Sequence, residues 1–155
     1  MGVVSRESES SNHKVDDIPP SFVTHLDQVA LQATSHDGVR KQVLLPSFGI
    51  AANVAALSVA RIAPGQEIPY HHHPTMYEFF FVLAGQGHVG LVRAAAPKKG
   101  VSLDFFTQNE ETIQLRQGSF LQTSPGDYHS FRVDASQTEP LQMIYFGITT
   151  TDTRE

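Results

Sequence analysis

Short apolar segments alternate with turn-forming residues along most of this chain. From about residue 40 onward they are KQVLL, VAALSVARIA, YEFFFVLA, HVGLVRA, VSLDFF, ETIQL, SFLQTS, YHSFRVD and LQMIYFGI, all rich in β-branched or aromatic residues. Gly, Pro, Asn or Asp lies between them, in APGQ, AGQG, PKKG, QNEE, RQG and SPGD. Many short strands at this spacing predict an all-β sandwich or barrel with a core of about residues 40–150.

The first forty residues follow another pattern. Residues 1–17 are rich in Ser, Glu and Asp and have almost no large apolar side chains, so they predict a flexible tail. Apolar residues then recur at helical spacing, namely Phe22, Leu26, Val29 and Ala30. This spacing predicts a short helix or turn packed on the body. We therefore expect one domain over residues 18–155.

Two features interrupt or divide the strand pattern. The segment VSLDFFTQNEETIQL predicts a hairpin that turns at Gln108, Asn109 and Glu110, as an excursion over residues 94–113 between the two halves of the domain. The strand YEFFFVLA has two different faces, because side chains alternate along a strand. Glu78 and Phe80 share the inward face, whereas Phe81 points outward with Phe79.

Charge and composition exclude several classes of function. The chain has 155 residues, with 11 Lys and Arg against 16 Asp and Glu, and no basic cluster beyond Lys98 and Lys99. This balance argues against nucleic acid binding. The absence of cysteine excludes disulfides, thiolate metal sites and cysteine nucleophiles, so any metal must be bound by nitrogen and oxygen ligands.

The location of the protein is predicted from its apolar segments. The N-terminal residues lack the basic start and apolar run of a signal peptide, which favours the cytoplasm. The longest apolar stretch, FGIAANVAALSVARIA, is interrupted by Asn53, Ser58 and Arg61 and is shorter than the ~20 residues that span a bilayer. We therefore expect no contact with a membrane.

The segment IPYHHHPTMYE contains most of the candidate metal-binding residues. Alternation in a strand places His71 and His73 on one face and His72 on the other. Glu78 would point away from them unless the chain bends, and Pro74 with Thr75 is suitable turn chemistry. A carboxylate above Phe80 is costly to bury as a free anion, and a cation would remove that cost.

A further imidazole, His129, follows the turn in SPGDYHSFRV and is the remaining ligand candidate. Three neutral imidazoles with one carboxylate suit Fe, Mn, Ni, Cu, Co or Zn and do not suit Ca or Mg. The alternative is that the three consecutive histidines form a solvated turn, Glu78 lies at the surface and His129 is a hydrogen-bonded core residue.

The spacing of these residues resembles the two motifs of the cupins. The first motif, G-x5-H-x-H-x3/4-E-x6-G, is matched by Gly65, His71, His73, Glu78 and Gly85. The second, G-x5-P-x-G-x2-H-x3-N, is similar at Gly118, Gly126 and His129. Ser124 stands where the family has Pro, and Val133 stands where it has Asn.

The resemblance covers roughly residues 40–150 and implies a jelly-roll barrel, also called a double-stranded β-helix. It also implies that His71, His73, Glu78 and His129 bind one divalent transition metal, with Fe slightly favoured. His72 stays outside this set. Because cupins often dimerise and the outward Phe79 and Phe81 require cover, we predict a homodimer.

A metal with open coordination positions inside a barrel predicts a small-molecule substrate. We expect a dioxygenase-like enzyme acting on a small oxygenated organic molecule. The alternatives are a metal-dependent lyase, cyclase or isomerase, and a non-enzymatic ligand-binding cupin. The substrate-binding candidates are Phe80, Phe131 and Arg61, the last as a clamp for a substrate carboxylate. The candidate general acids are Tyr70, Tyr77 and Tyr128, although packing is the favoured role for all three.

Overall fold

The computed structural model describes residues 21–48, 51–93 and 108–150. Within them the chain forms the strands β1 (Gln32–Ala33), β2 (Arg40–Leu45), β3 (Leu57–Ile62), β4 (Glu67–His71), β5 (Met76–Ala84), β6 (Gln86–Val92), β7 (Glu111–Arg116), β8 (Phe120–Thr123), β9 (Tyr128–Arg132) and β10 (Leu141–Thr149). No helix of these residues is long and apolar enough to cross a membrane.

The strands form two antiparallel sheets. The six-stranded sheet has the order β1-β2-β3-β10-β5-β8, and the four-stranded sheet has the order β4-β9-β6-β7. The predicted all-β jelly roll is confirmed. Its core lies between the sheets, where Ile62, Leu141 and Met143 of the larger sheet and Val89 and Phe131 of the smaller one are almost fully buried. Burying each such side chain contributes about 1.5–3 kcal/mol.

Strand β5 has the two faces that its sequence predicts. Glu78, Phe80 and Val82 are buried, whereas Phe81 on the opposite face is 43% exposed. Phe79 lies on that outer face between Phe146, at 5.0 Å between ring centroids, and Phe120, at 6.3 Å. The outer face of the larger sheet therefore carries an aromatic patch, which consists of Phe79, Phe81, Phe120 and Phe146.

The N-terminal part of the described chain covers the other end of this outer face. Only one turn of 3-10 helix forms there, Leu26–Gln28, and Phe22 is 62% exposed. The segment is attached through the buried Gln42 of β2, whose Nε2 donates to the carbonyls of Leu26 and Val29 at 2.6 and 2.8 Å. The contact is thus a polar one, made to the backbone.

Two predictions fall on residues that the structure does not describe. The flexible tail over residues 1–17 lies outside the described residues, as does the segment VSLDFF at 101–106. Of the predicted excursion over residues 94–113, the described part enters β7 at Glu111.

Candidate metal centre

Four side chains from both sheets converge at one end of the barrel. The candidate ligand atoms of His71, His73, Glu78 and His129 all lie within 4.8 Å of one another. His71 ends β4, Glu78 lies in β5 and His129 lies in β9, while His73 is in the connection between β4 and β5. These are the four residues that the sequence identifies as the ligand set.

A bulge in β4 turns His71 toward the interior. Ile68 pairs with Phe131 and His71 pairs with His129, so two residues of β4 oppose one residue of β9 between these pairs. In a regular strand His71 would face away from Ile68. The extra residue reverses this alternation, and His71 therefore shares the inward face with His129.

Backbone hydrogen bonds hold the connection that carries His73. The chain bends at Pro74 and Thr75, as the sequence predicts, and then enters β5. The backbone N–H of Gly126 donates to the carbonyl of His73 at 2.9 Å, which ties the turn before β9 to the turn after β4. The N–H of Thr150 donates to the carbonyl of Thr75 at 2.7 Å. The connection that carries His73 is thus tied to the turn that precedes β9 and to the residue that follows β10.

Glu78 is a buried anion in contact with two imidazoles. Its side chain is 9% exposed, and its Oε2 lies 3.0 Å from Nε2 of His129 and 3.3 Å from Nε2 of His73. Burial alone would raise the pKa of Glu78, but the contacts with His129 and His73 outweigh burial and lower it to about 2. The carboxylate is therefore ionised throughout the physiological range.

His71 presents a lone pair to this cluster. Its Nδ1 lies 2.9 Å from the carbonyl of Pro69, which can only accept a hydrogen bond. Nδ1 therefore carries the proton and Nε2 is free to bind a cation. Burial, followed by the charge of His129, lowers the pKa of His71 to about 4, so the ring is neutral at pH 7.

These side chains fit a divalent transition metal. Neither ring nitrogen of the 1% exposed His129 has a hydrogen-bond partner, and its short contact with Glu78 Oε2 does not have the alignment of a hydrogen bond. Buried polar atoms without partners are costly, and a shared cation would satisfy several of them at once. The donor set of three imidazoles and one carboxylate suits Zn, Fe, Mn, Co, Ni or Cu.

The cluster opens onto a cavity of about 400 Å³ between the two sheets. Its walls are largely apolar and include Val39, Ile68, Phe80, Phe131 and Met143. Pockets of this size and character accommodate small organic molecules. The candidate ligands therefore lie where a bound molecule would reach them.

Comparisons with known proteins agree with this geometry. A family model described as a cupin domain matches residues 58–94, which contain His71, His73, Glu78 and Gly85. The chain contains a small cupin domain. No curated protein matches it in sequence.

Solved structures with a similar fold have diverse names. A predicted oxalate decarboxylase from Thermotoga maritima has a TM-score of 0.65 and 16% identity, over 83% of this chain and 99% of that chain. The polyketide cyclase RemF from Streptomyces resistomycificus has a TM-score of 0.60 and 15% identity, over 85% and 87%. KdgF from Halomonas sp. has a TM-score of 0.59 and 16% identity, over 85% and 97%. At these identities the likeness shows the cupin fold alone.

The motif glycines of the cupin domain occupy tight turns. Gly85 has a φ of +80° and Gly126 a φ of +86°, in the left-handed region that other residues rarely adopt. A Cβ at Gly85 would also collide with the backbone of Pro140 and Leu141. The spacing of the motif therefore reflects the turns that bring the ligands together.

The structure distributes the other predicted site residues over both faces of the cupin sheets. Phe80 and Phe131 line the cavity, as expected for substrate contacts. Arg61 lies next to Ala60 in β3, and alternation places it on the opposite face from this cavity residue. Among the described residues that line the cavity, none is Tyr70, Tyr77 or Tyr128.

The three tyrosines have other surroundings. Tyr70 faces a polar cluster with Glu110 and Ser130 on the outer side of the smaller sheet. Tyr128 packs on the exposed His72, at 4.4 Å between ring centroids, and Tyr77 is itself exposed. The packing role that the sequence favours stays a prediction for all three.

Several polar residues of the cavity are missing from the sequence prediction, among them Tyr145, Lys41 and His36. Tyr145 of β10 stacks on Phe80 at 5.8 Å, and burial raises the pKa of its hydroxyl. Lys41 of β2 lines the wall, and His36 lies 5.4 Å from His71 between ring centroids. Each belongs to a strand or loop distant in sequence from the histidine motif, so no local pattern connects it to the site.

Proposed function

We propose that this protein is a mononuclear metal-dependent enzyme that acts on a small oxygenated organic molecule bound at the metal. The observation that carries the proposal is that His71, His73 and Glu78, in one cluster with the buried His129, line a largely apolar cavity of about 400 Å³. A purely structural metal site would be closed by its protein ligands. Here the ligands border a space that can receive a substrate.

The residues of this chain would bind the metal and the substrate and exclude water from the site. His71, His73, Glu78 and His129 would hold the cation, which when bound supplies Lewis-acid polarisation and, if it is iron, redox chemistry with O2. Phe80 and Phe131 contact each other at 4.9 Å between ring centroids and would bind the apolar part of the substrate. Their burial excludes water and strengthens the electrostatic interactions at the ligand cluster.

Our first candidate reaction is oxygenation by a dioxygenase with iron as the native metal. The three-histidine, one-carboxylate set accepts iron, and the apolar walls would protect reactive species from water. The substrate would carry a hydroxyl, enol or carboxylate group that binds at the cation.

A second candidate is metal-dependent lyase, cyclase or isomerase chemistry, which the position of Tyr145 favours. Burial raises the pKa of this tyrosine, so it keeps its proton at neutral pH, and its hydroxyl interacts with that of Ser58. A protonated hydroxyl beside the substrate can act as a general acid. The names of two structural neighbours, a predicted oxalate decarboxylase and a polyketide cyclase, agree with such chemistry.

Oxygen uptake distinguishes these reactions. Protein reconstituted anaerobically with Fe(II) is mixed with catechol-type and β-diketone probes in an oxygen electrode. Oxygenation predicts substrate-dependent O2 consumption that persists in Tyr145→Phe. Turnover without O2 that is lost in Tyr145→Phe supports the second candidate. Thermal stabilisation by a probe without any turnover supports a non-enzymatic ligand-binding cupin and contradicts both reactions.

The remaining sequence predictions stay part of the proposal. The aromatic patch of Phe79, Phe81, Phe120 and Phe146 supports a homodimer, because Phe120 is 64% exposed to solvent. The single domain over residues 18–155, the flexible tail and the cytoplasmic location likewise stay predictions.

A further inference from the structure

Lys41 places a cation on the cavity wall. In the register of the larger sheet Lys41 pairs with Ala60, and Ala60 pairs with Met143. Residues paired in this way share a face, and all three line the cavity, so the side chain of Lys41 points inward. Among the described residues that line the cavity, Lys41 is the only lysine or arginine and Glu78 is the only acid.

The ammonium group of Lys41 has no carboxylate partner in the described part of the chain. The ion pairs found there involve other residues, and the side chain is half-buried against apolar neighbours. A cation on the wall of a largely apolar cavity, with no carboxylate partner among the described residues, favours an anion in the adjoining space. The neighbouring Arg40, in contrast, is exposed.

Lys41 and Glu78 belong to different rows of paired residues on the cavity wall. The row of paired residues that contains Lys41 crosses β5 at Val82, which is four residues beyond Glu78. Four residues correspond to about 13 Å along a strand, and neighbouring strands are about 4.8 Å apart. On the inward face of β5, Phe80 lies between this row and Glu78, so apolar side chains separate the two positions along the sheet.

The ligand cluster also favours an anion when it holds its cation. Three neutral imidazoles and one carboxylate offset only half the charge of a divalent metal. A substrate with a metal-binding anionic group at one end and a carboxylate at the other would complement both ends. Its hydrocarbon middle would contact the apolar walls.

We propose that the substrate is a small organic acid with two anionic ends, and that Lys41 binds the carboxylate remote from the metal. This inference rests on the proposed metal-dependent function. Lys41 is then a specificity-determining residue, which selects substrates by the second carboxylate and takes no part in the reaction at the metal.

Matched 2-oxo acids test the inference by calorimetric titration of metal-loaded protein. 2-Oxoglutarate and 2-oxoadipate carry a second carboxylate, and 2-oxopentanoate and 2-oxohexanoate have the same chain lengths without it. We expect at least one dicarboxylate to bind about tenfold tighter than its matched partner, the usual effect of one charged hydrogen bond. Lys41→Gln should abolish this preference, whereas Lys41→Arg and the exposed control Arg40→Gln should retain it.

The metal content of every sample is measured in parallel. It distinguishes a failure of the proposed role of Lys41 from a failure of the proposed metal-dependent function. One metal per chain without a dicarboxylate preference, or with a preference that survives in Lys41→Gln, overturns the role of Lys41 and leaves the metal-dependent function intact. Native protein that binds no metal overturns both. Thermal melting of each variant verifies folding, and the retained preference in Lys41→Arg keeps the test valid if Lys41→Gln is destabilised.

Discussion

At the scale of single residues, the candidate centre combines one ionised acid, Glu78, with an imidazole, His71, that resists protonation. Burial opposes the charge of Glu78, yet His129 and His73 hold its pKa at about 2. Burial also lowers the pKa of His71 to about 4. Both shifts favour the protonation states in which these residues bind a metal, an ionised carboxylate and a neutral ring.

The shift at His71 predicts how the metal-free protein responds to acid. Between about pH 6.5, the ordinary pKa, and about pH 4, the unfolded chain binds a proton at His71 and the folded protein does not. The free energy of unfolding should therefore fall as the pH decreases through this window. Urea denaturation of metal-free protein at several pH values measures the fall, and His71→Gln should reduce it.

His72 provides the matched control, because it is exposed to solvent. His72→Gln should keep the acid sensitivity of the native protein. An equal loss of stability with acid in the native protein and in His71→Gln would contradict the buried, neutral state of His71.

Some residues of the candidate site can be predicted from the sequence, and others cannot. His71, His73 and Glu78 could be found because one turn and two strand ends fix their spacing within a few residues. Tyr145 and Lys41 reach the cavity through strand pairing with Ser58 and Ala60, respectively. Such pairing joins residues that are distant in sequence, and no local periodicity encodes it.

At the scale of secondary-structure elements, β4 is absent from the predicted apolar segments, although strand alternation is assumed for its histidine. Pro69 lacks an N–H and interrupts the apolar pattern, which demotes the segment as a strand. β4 is nevertheless formed, because it lies at the edge of the smaller sheet and Pro69 falls within its bulge. The same bulge turns His71 inward. Pro69, which interrupts the apolar pattern of β4, therefore also helps to form the site.

A polar cluster on the outer side of the smaller sheet attaches β4 to its neighbours. The hydroxyl of Tyr70 interacts with Glu110 and Ser130, and burial together with Glu110 raises the pKa of Tyr70 to about 12. Thr112 Oγ1 donates to Glu110 Oε1 at 2.6 Å. The cluster occupies the space above Gly90, where a Cβ would collide with the hydroxyl of Tyr70 and lie 2.7 Å from Oγ of Ser130.

We expect Gly90→Ala to destabilise the protein by about 1–3 kcal/mol, the usual cost of overpacking. Tyr70→Phe removes the hydroxyl in the path of the new methyl group, so the double variant should lose less stability than the sum of the two single variants. Chemical denaturation of the native protein, both single variants and the double variant gives this coupling. Strictly additive losses would show that Tyr70 does not occupy the space above Gly90.

At the scale of the whole molecule, the aromatic patch is an apolar surface that the described chain leaves partly uncovered. Phe81 and Phe120 are exposed, whereas the other end of the same sheet face is covered by the segment around Leu26–Gln28. The sequence predicts the outward direction of Phe79 and Phe81 by alternation. It does not predict that β10 and β8 would add Phe146 and Phe120 beside them.

A homodimer through this patch predicts twice the mass of one chain in sedimentation experiments. The double variant Phe81→Ser with Phe120→Ser should sediment as a monomer, because it removes the apolar contact area. Ile113→Ser is the matched control, since Ile113 is 37% exposed but belongs to the smaller sheet. A native monomer, or a double variant that remains a dimer, would contradict the predicted interface.

The central claim is that one divalent metal is bound by His71, His73, Glu78 and His129, and metal affinity in Glu78→Gln tests it most directly. This change keeps the size of the side chain and removes its charge, so we expect the barrel to fold and the affinity to fall about tenfold or more. Elemental analysis after dialysis against graded chelator gives the affinities, with the exposed Glu67→Gln as control. The account predicts one metal per chain in the native protein and the control, and its loss from Glu78→Gln at lower chelator concentrations. Equal metal retention in Glu78→Gln and the native protein would contradict it.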